Sequence, residues 1–375
     1  MNNFDKLIRP QVRGFTPYLP GRSIESVKRE RKLSRIVKLA SNENPLGPSP
    51  KALAAMRKVG EKLFLYPDGA STSLRAALAK QGRTSPERVI IGAGSDELIE
   101  LLGKTFLNPG DSIVVSEHAF IRYRMAGELM GADVISVPMR DYTHDLAAMA
   151  GAVRESTKIL FIANPNNPTG TYNPEAELTR LLRQIATANA RREKPVLVVV
   201  DEAYYEYAKV FERDYPDTLK LQKEFPNLVV LRTFSKAHAL AGLRVGYAYA
   251  DPRIIGAIDR VRPPFNVSAL AQAGAEASLS DAARINKAIK LVVAERKKML
   301  VELTTLGLSI IPSSGNFLLI GVSPRRGQAL FESLLARGII VRSMDEYGYP
   351  NHIRVTFGLP TENRLFLTAL KEVLE

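Results

Sequence analysis

The run PVLVVVDEAYYEY, residues 195–207, decides the fold. Its apolar part, Val196 to Val200, has no polar residue at either alternating position. Successive strand side chains point to opposite faces, so such a run belongs to a strand buried on both faces. That is the mark of a mostly parallel sheet under two layers of helices. Six further runs read alike: RVIIGAG (88–94), SIVVSE (112–117), DVISVP (133–138), KILFIAN (158–164), LVVLRTFS (228–235) and RVGYAYA (244–250). Between them ELIELLGKTF and EAELTRLLRQIATANA carry apolar residues at helical spacing. Strands alternating with helices over this length predict an α/β domain.

Working outward, residues 1–35 read as an arm punctuated by Pro10, Pro17, Pro20 and Gly21, in which IESVKRERK forms a short charged helix. The α/β pattern then occupies 36–262. After Pro263-Pro264 the spacing of Ile285, Ile289, Val292, Met299, Leu303 and Leu306 predicts one long linking helix, with Gly307 as its stop. LSIIP, GNFLLIGV, QALFESLLARG, IIVRSM and HIRVTFG follow, and a last helix runs to Glu375. Residues 263–375 are therefore expected to hold the linking helix and a smaller α+β domain.

Composition removes several function classes. The 375 residues include no cysteine, which excludes disulfide staples, thiolate zinc sites and Fe–S clusters. Four dispersed histidines without an HExxH pair argue against catalytic zinc, so no metal is expected. Charges interrupt the apolar residues of the first fifteen, and no apolar run nears the roughly 18 residues of a membrane span, so a cytoplasmic protein is expected. The net charge is +13, of which residues 1–60 carry +9, with 13 basic and 4 acidic residues. Without interleaved aromatics or a recognition-helix pattern this basic stretch reads as a solvated or subunit-contacting arm, and no nucleic-acid partner is expected.

In open α/β sheets ligands bind beyond the carboxyl ends of the strands. There RVIIGAG runs into Ser95-Asp96-Glu97, where a glycine-rich helix start offers N–H groups to an anion, although it matches neither a P-loop nor GxGxxG. KILFIAN runs into NPNNPTG (164–170), whose two prolines and glycine fix Asn167. Asp201, Glu202 and Tyr204 follow the valine run; a carboxylate there either forms a structural salt bridge or keeps a cationic ring nitrogen protonated. Ser235-Lys236 follows another strand, with Arg244 eight residues on. Serine and arginine suit a phosphate, and a partly desolvated lysine suits a Schiff base. Together these residues describe a site for pyridoxal phosphate.

The chain resembles the fold-type I aminotransferases of the aspartate aminotransferase superfamily, and within them most closely the histidinol-phosphate aminotransferase family. The resemblance rests on TPYLPG (16–21), SNENPLGPSP (41–50), YPDG (66–69), GAGSDELIELL, NPNNPTG, DEAYYEY, RTFSKAHALAGLRVGY, GNFLLI (315–320), GIIVRS (338–343) and HIRVTFG, in family order. It implies a large domain with a mostly parallel seven-stranded sheet, pyridoxal 5'-phosphate as cofactor, and a homodimer. It further implies that Lys236 is the Schiff-base lysine and proton carrier, that Asp201 pairs with the pyridinium nitrogen, and that Asn167 and Tyr204 bind the ring hydroxyl. Phe120 would stack on the ring. Gly94, Ser95, Ser235 and Arg244 would hold the phosphate, with Tyr66 from a partner subunit. Arg354 would bind the α-carboxylate of the amino donor, Arg342 and Tyr18 the substrate phosphate, and Asn42 and Asn316 would line the substrate pocket. His238, where an aromatic is usual, is given no catalytic role.

The reaction implied converts L-histidinol phosphate and 2-oxoglutarate reversibly to imidazole acetol phosphate and L-glutamate, in histidine biosynthesis. An aromatic amino acid aminotransferase and a threonine-phosphate decarboxylase share most of these motifs and remain alternatives. A non-catalytic, nucleic-acid-associated sensor would need an added winged-helix domain, for which an arm of about 35 residues is too short.

Overall fold

The computed structural model describes residues 3–15 and 21–375. Seven strands form its large sheet: β1 Val89–Gly92, β2 Ser112–Ser116, β3 Asp133–Val137, β4 Thr157–Ala163, β5 Leu197–Asp201, β6 Leu228–Thr233 and β7 Gly246–Tyr249. Their order is β1-β7-β6-β5-β4-β2-β3, and only β7 runs against the rest. The valine run behaves as its pattern requires. Val198 and Val200 join one core with Leu160, Ile162 and Val230, while Val199 joins a separate core with Ile159, Phe161, Val229 and Leu231. Alternate residues of one strand thus feed two cores on opposite faces of the sheet. The first core is closed by helices that include Glu175–Asn189, the second by Gly94–Phe106, Ile121–Leu129 and Pro252–Asp259.

The C-terminal unit carries an antiparallel sheet of β8 Ser309–Ile311, β9 Phe317–Gly321, β10 Arg342–Ser343 and β11 His352–Thr356, ordered β10-β11-β9-β8. Helices Ala282–Thr305, Gly327–Ala336 and Pro360–Leu374 pack with it.

Two features of the sequence reading need correction. The long helix read over Ile285–Leu306 is Ala282–Thr305, capped by Asp281, which accepts the Arg284 N–H; ahead of it lies a further helix, Ala269–Leu279, that the reading did not separate. This further helix buries Ala271 and Ala275 in the core of the large sheet, so packing does not change at residue 263. At the other boundary, Val37–Lys38 pairs in parallel with Ile339–Ile340, and Val37 and Leu39 are buried in the core of the C-terminal unit. The segment just after residue 36 therefore packs with the C-terminal sheet rather than with the large one. IIVRSM likewise splits, Ile339–Ile340 pairing with this segment and Arg342–Ser343 with β11.

Candidate active site

The carboxyl ends of β1, β2, β4, β5 and β6 converge on a cavity of about 490 Å³ closed on its other side by the C-terminal sheet. Of the residues expected there, Lys236, Asp201, Tyr204, Asn167, Phe120, Ser95, Ser235, Arg244, Arg354, Arg342 and Asn42 all line it.

Each side chain is placed by its element. Asp201 ends β5 and is 5% exposed. Its carboxylate accepts from the Tyr123 hydroxyl at 2.9 Å and from the Ala203 N–H at 3.1 Å, and no cation among the described residues pairs with it. Burial pushes its carboxyl up to about 6, against the two hydrogen bonds. The structural salt bridge weighed for this strand end belongs to the next residue: Glu202 is fully buried and meets Arg232 at 2.8 Å. One carboxylate thus secures the fold while its neighbour faces the cavity.

Lys236 lies three residues past Thr233, the last residue of β6, and its Nζ donates to the Ser41 carbonyl at 3.2 Å. Burial, with the Arg354 guanidinium adding to it, lowers this amine to about 7. It stands 5.7 Å from the centre of the Tyr204 ring, and the Tyr204 hydroxyl accepts from Asn42 at 2.8 Å.

At one end of the cavity Ser95 opens the helix Gly94–Phe106, beside Ser235 and Arg244. Arg244 donates to the Ser235 hydroxyl at 3.4 Å. Two glycines make this crowding possible. A β-carbon on Gly94, whose φ is +83°, would come within 2.6 Å of Arg244, and one on Gly246 would strike the Ser95 backbone nitrogen. Hydroxyls, a guanidinium and a helix N-terminus together suit an anion.

At the other end stand Arg354 on β11 and Arg342 on β10, paired residues in the ladder. Like charges directly opposite one another destabilise a sheet unless anions offset them. Arg354 donates to Asn167 Oδ1 and, at 2.8 Å, to the Ala40 carbonyl, while its buried Nε has no partner among the described residues. Arg342 meets Glu346 at 2.6 Å.

Other expectations fall outside the cavity. Asn316 does not line it; fully buried, it donates to the Asn42 carbonyl at 3.0 Å and so supports the wall. Gly94 lies beneath Arg244 as backbone. Tyr66 is 83% exposed and stacks on Phe265 at 4.7 Å, away from the cavity of its own chain. Tyr18 lies outside the described residues. His238 is buried, hydrogen-bonded to Ser278 at 2.7 Å and tilted on Phe234.

Sequence reasoning missed Tyr123, Asp96, Arg122, Glu43 and Tyr347, all of which line the cavity. Tyr123 follows Phe120 at helical spacing and reads as core, and Asp96 sits in GAGSDE, where the backbone N–H groups are the evident ligands.

The family model for class I and II aminotransferases matches residues 34–370. The chain belongs to that family. It is 46% identical over 369 residues to a histidinol-phosphate aminotransferase of Anaeromyxobacter sp. (strain Fw109-5), covering 98% of this chain and 99% of that one. Among solved structures it is similar to histidinol-phosphate aminotransferase from Sinorhizobium meliloti in complex with pyridoxal 5'-phosphate: TM-score 0.87, 27% identity, covering 98% and 97% of the two chains. A single mutant of aspartate aminotransferase from Thermus thermophilus, at 22% identity and TM-score 0.83 over 98% of both chains, shares the fold. This aminotransferase therefore has the aspartate aminotransferase architecture that the resemblance implied, on the α/β pattern read from its strands. Among its described residues no group of acidic or histidine side chains suits a metal, and no helix is long and apolar enough to cross a membrane.

Proposed function

We propose that this aminotransferase uses pyridoxal 5'-phosphate to interconvert L-histidinol phosphate and 2-oxoglutarate with imidazole acetol phosphate and L-glutamate. The observation that carries the reading is one cavity with an amine lowered to about 7, a buried carboxylate lacking a cation, and an arginine-bearing anion site at each end.

The residues present fit the cofactor. Asp201 is a buried acceptor awaiting a cationic ring nitrogen, and the space kept clear at Gly94 and Gly246 lets Arg244 and the Ser95 N–H converge on a phosphate. When bound, pyridoxal phosphate supplies an electron sink for the breaking Cα–H bond. Asp201 holds the proton at the ring nitrogen. Lys236, with its amine near neutrality, takes the proton from Cα and returns it. Asn167 and Tyr204 would orient the ring, and Phe120 would hold its face; all three line the cavity. Arg354 binds the donor carboxylate, and Arg342 takes the substrate phosphate.

The same reading includes a cytoplasmic homodimer. Leu63, Phe64, Leu65 and Tyr66 are all more than half exposed, an apolar run suited to burial against a second copy. Tyr66 then reaches the neighbour's phosphate end.

Absorbance of the cofactor-loaded protein tests the proposal. A visible band that moves to the near-ultraviolet with L-histidinol phosphate but not with phenylalanine is expected, and Lys236→Ala should lack the starting band. An equal response to phenylalanine would favour a broad aromatic aminotransferase.

A further inference from the structure

Asp96 poses an electrostatic problem at the anion end of the cavity. It follows Ser95 in the first turn of the helix Gly94–Phe106 and lines the cavity beside it. Glu97, the other acid of that turn, is folded back: its carboxylate accepts from the Ala93 N–H and from Asn266, each at 2.6 Å. Asp96 has no such backbone partner, and its charge helps push up the carboxyl of Asp201. A second anion bound at Ser95, Ser235 and Arg244 would be repelled by it.

Arg122 answers that charge. It lies in the first turn of the helix Ile121–Leu129, two residues after Phe120, and lines the same cavity. Its Nε donates to Asp96 Oδ1 at 2.7 Å, and Glu100, one turn further along the Asp96 helix, lies 3.6 Å from its Nη2. The guanidinium is about three-quarters buried, which limits screening of the pair by water.

We infer that Arg122 is a positioning residue for the phosphate end: it neutralises Asp96 so that a phosphate can occupy the Ser95–Ser235–Arg244 cradle, and it ties the Phe120 turn to the cradle helix. This rests on the cofactor reading above. The effect is electrostatic and specific to the phosphate, whereas a merely structural Arg122 would serve every ligand of the cavity alike.

The test is a titration of the full-length apoprotein with pyridoxal 5'-phosphate and, in parallel, with pyridoxal, which lacks the phosphate, followed by absorbance and tyrosine fluorescence. Arg122→Met should weaken the phosphorylated compound roughly fivefold to tenfold, the scale of one unpaired, partly screened charge. Pyridoxal should bind within about twofold of wild type. Adding Asp96→Asn to Arg122→Met should restore most of the loss, and Arg122→Lys should retain most of the affinity if charge is what matters. Equal weakening for both compounds, no weakening, or no recovery in the double variant would overturn the inference. A wild-type chain that binds pyridoxal 5'-phosphate no better than pyridoxal would instead sink the cofactor reading, and this inference with it.

Discussion

Tyr123 donates its hydroxyl to Asp201 across 2.9 Å, and both side chains are buried. The phenol stacks on Phe161 at 4.9 Å, so the donor is held by the core rather than by the cavity. This bond stabilises the ionised carboxylate against the burial that raises its pKa.

Tyr123→Phe removes that bond without changing the packing. The Asp201 carboxyl should rise further above 6, by about one pH unit, the equivalent of a hydrogen bond to a charged group. In the apoprotein, an NMR titration of that carboxyl should show the rise, and a midpoint unchanged by the substitution would show that Tyr123 does not tune Asp201.

Arg342 and Arg354 face each other in the ladder; Arg354 is fastened to Asn167 and the Ala40 carbonyl, and Arg342 meets Glu346 at 2.6 Å. Arg342→Ala should lower kcat/KM for L-histidinol phosphate about 30- to 100-fold, the loss expected for charge-assisted bonds to phosphate. An aromatic amino acid should be affected only slightly. Equal losses on both substrates would remove Arg342 from phosphate recognition.

Lys236 has a pH signature in stability. Folded it titrates near 7, against a reference of 10.5. Between those values the unfolded chain binds a proton that the folded chain does not, so stability rises with pH across that window. Urea denaturation of the apoprotein at pH 7.5 and 9.5 should show the rise, and Lys236→Met should flatten it. A slope unchanged by the substitution would place the titrating group elsewhere.

Glu202 and Arg232 form a buried pair, with the guanidinium 3.6 Å from the Tyr205 ring centre. Arg232→Met strands a buried carboxylate and should cost about 3–5 kcal/mol in urea denaturation. Adding Glu202→Leu should recover most of that. If the single variant melts like wild type, the pair does not hold this strand end.

The seven-stranded sheet was legible because burial on both faces leaves a one-dimensional trace: Val196–Val200 has no polar position, and the other runs are built alike. The residues at strand ends were legible for a similar reason. A lysine, a carboxylate and a serine directly after buried runs, such as Lys236, Asp201 and Ser235, are set out by local chain order. Where packing rather than order decides, the reading failed. Nothing in a helix-spaced Ala269–Leu279 distinguishes a linker from a segment docked on the large sheet. Nothing in Asn316 tells a cavity wall from its backing, since both are buried polar positions beside a strand.

The sequence by itself determined the alternation of strands and helices, the order of the motifs and the side chains available to the chemistry. The tertiary structure alone decided which of two adjacent carboxylates faces the cavity, and that Arg342 stands beside Arg354. It also decided that Tyr123 and Arg122 reach Asp201 and Asp96, 78 and 26 residues away. The physical reason is one of range. Periodicity records how each residue meets its local environment, whereas pKa values and charge pairing depend on groups far apart in the chain that only the folded packing brings together.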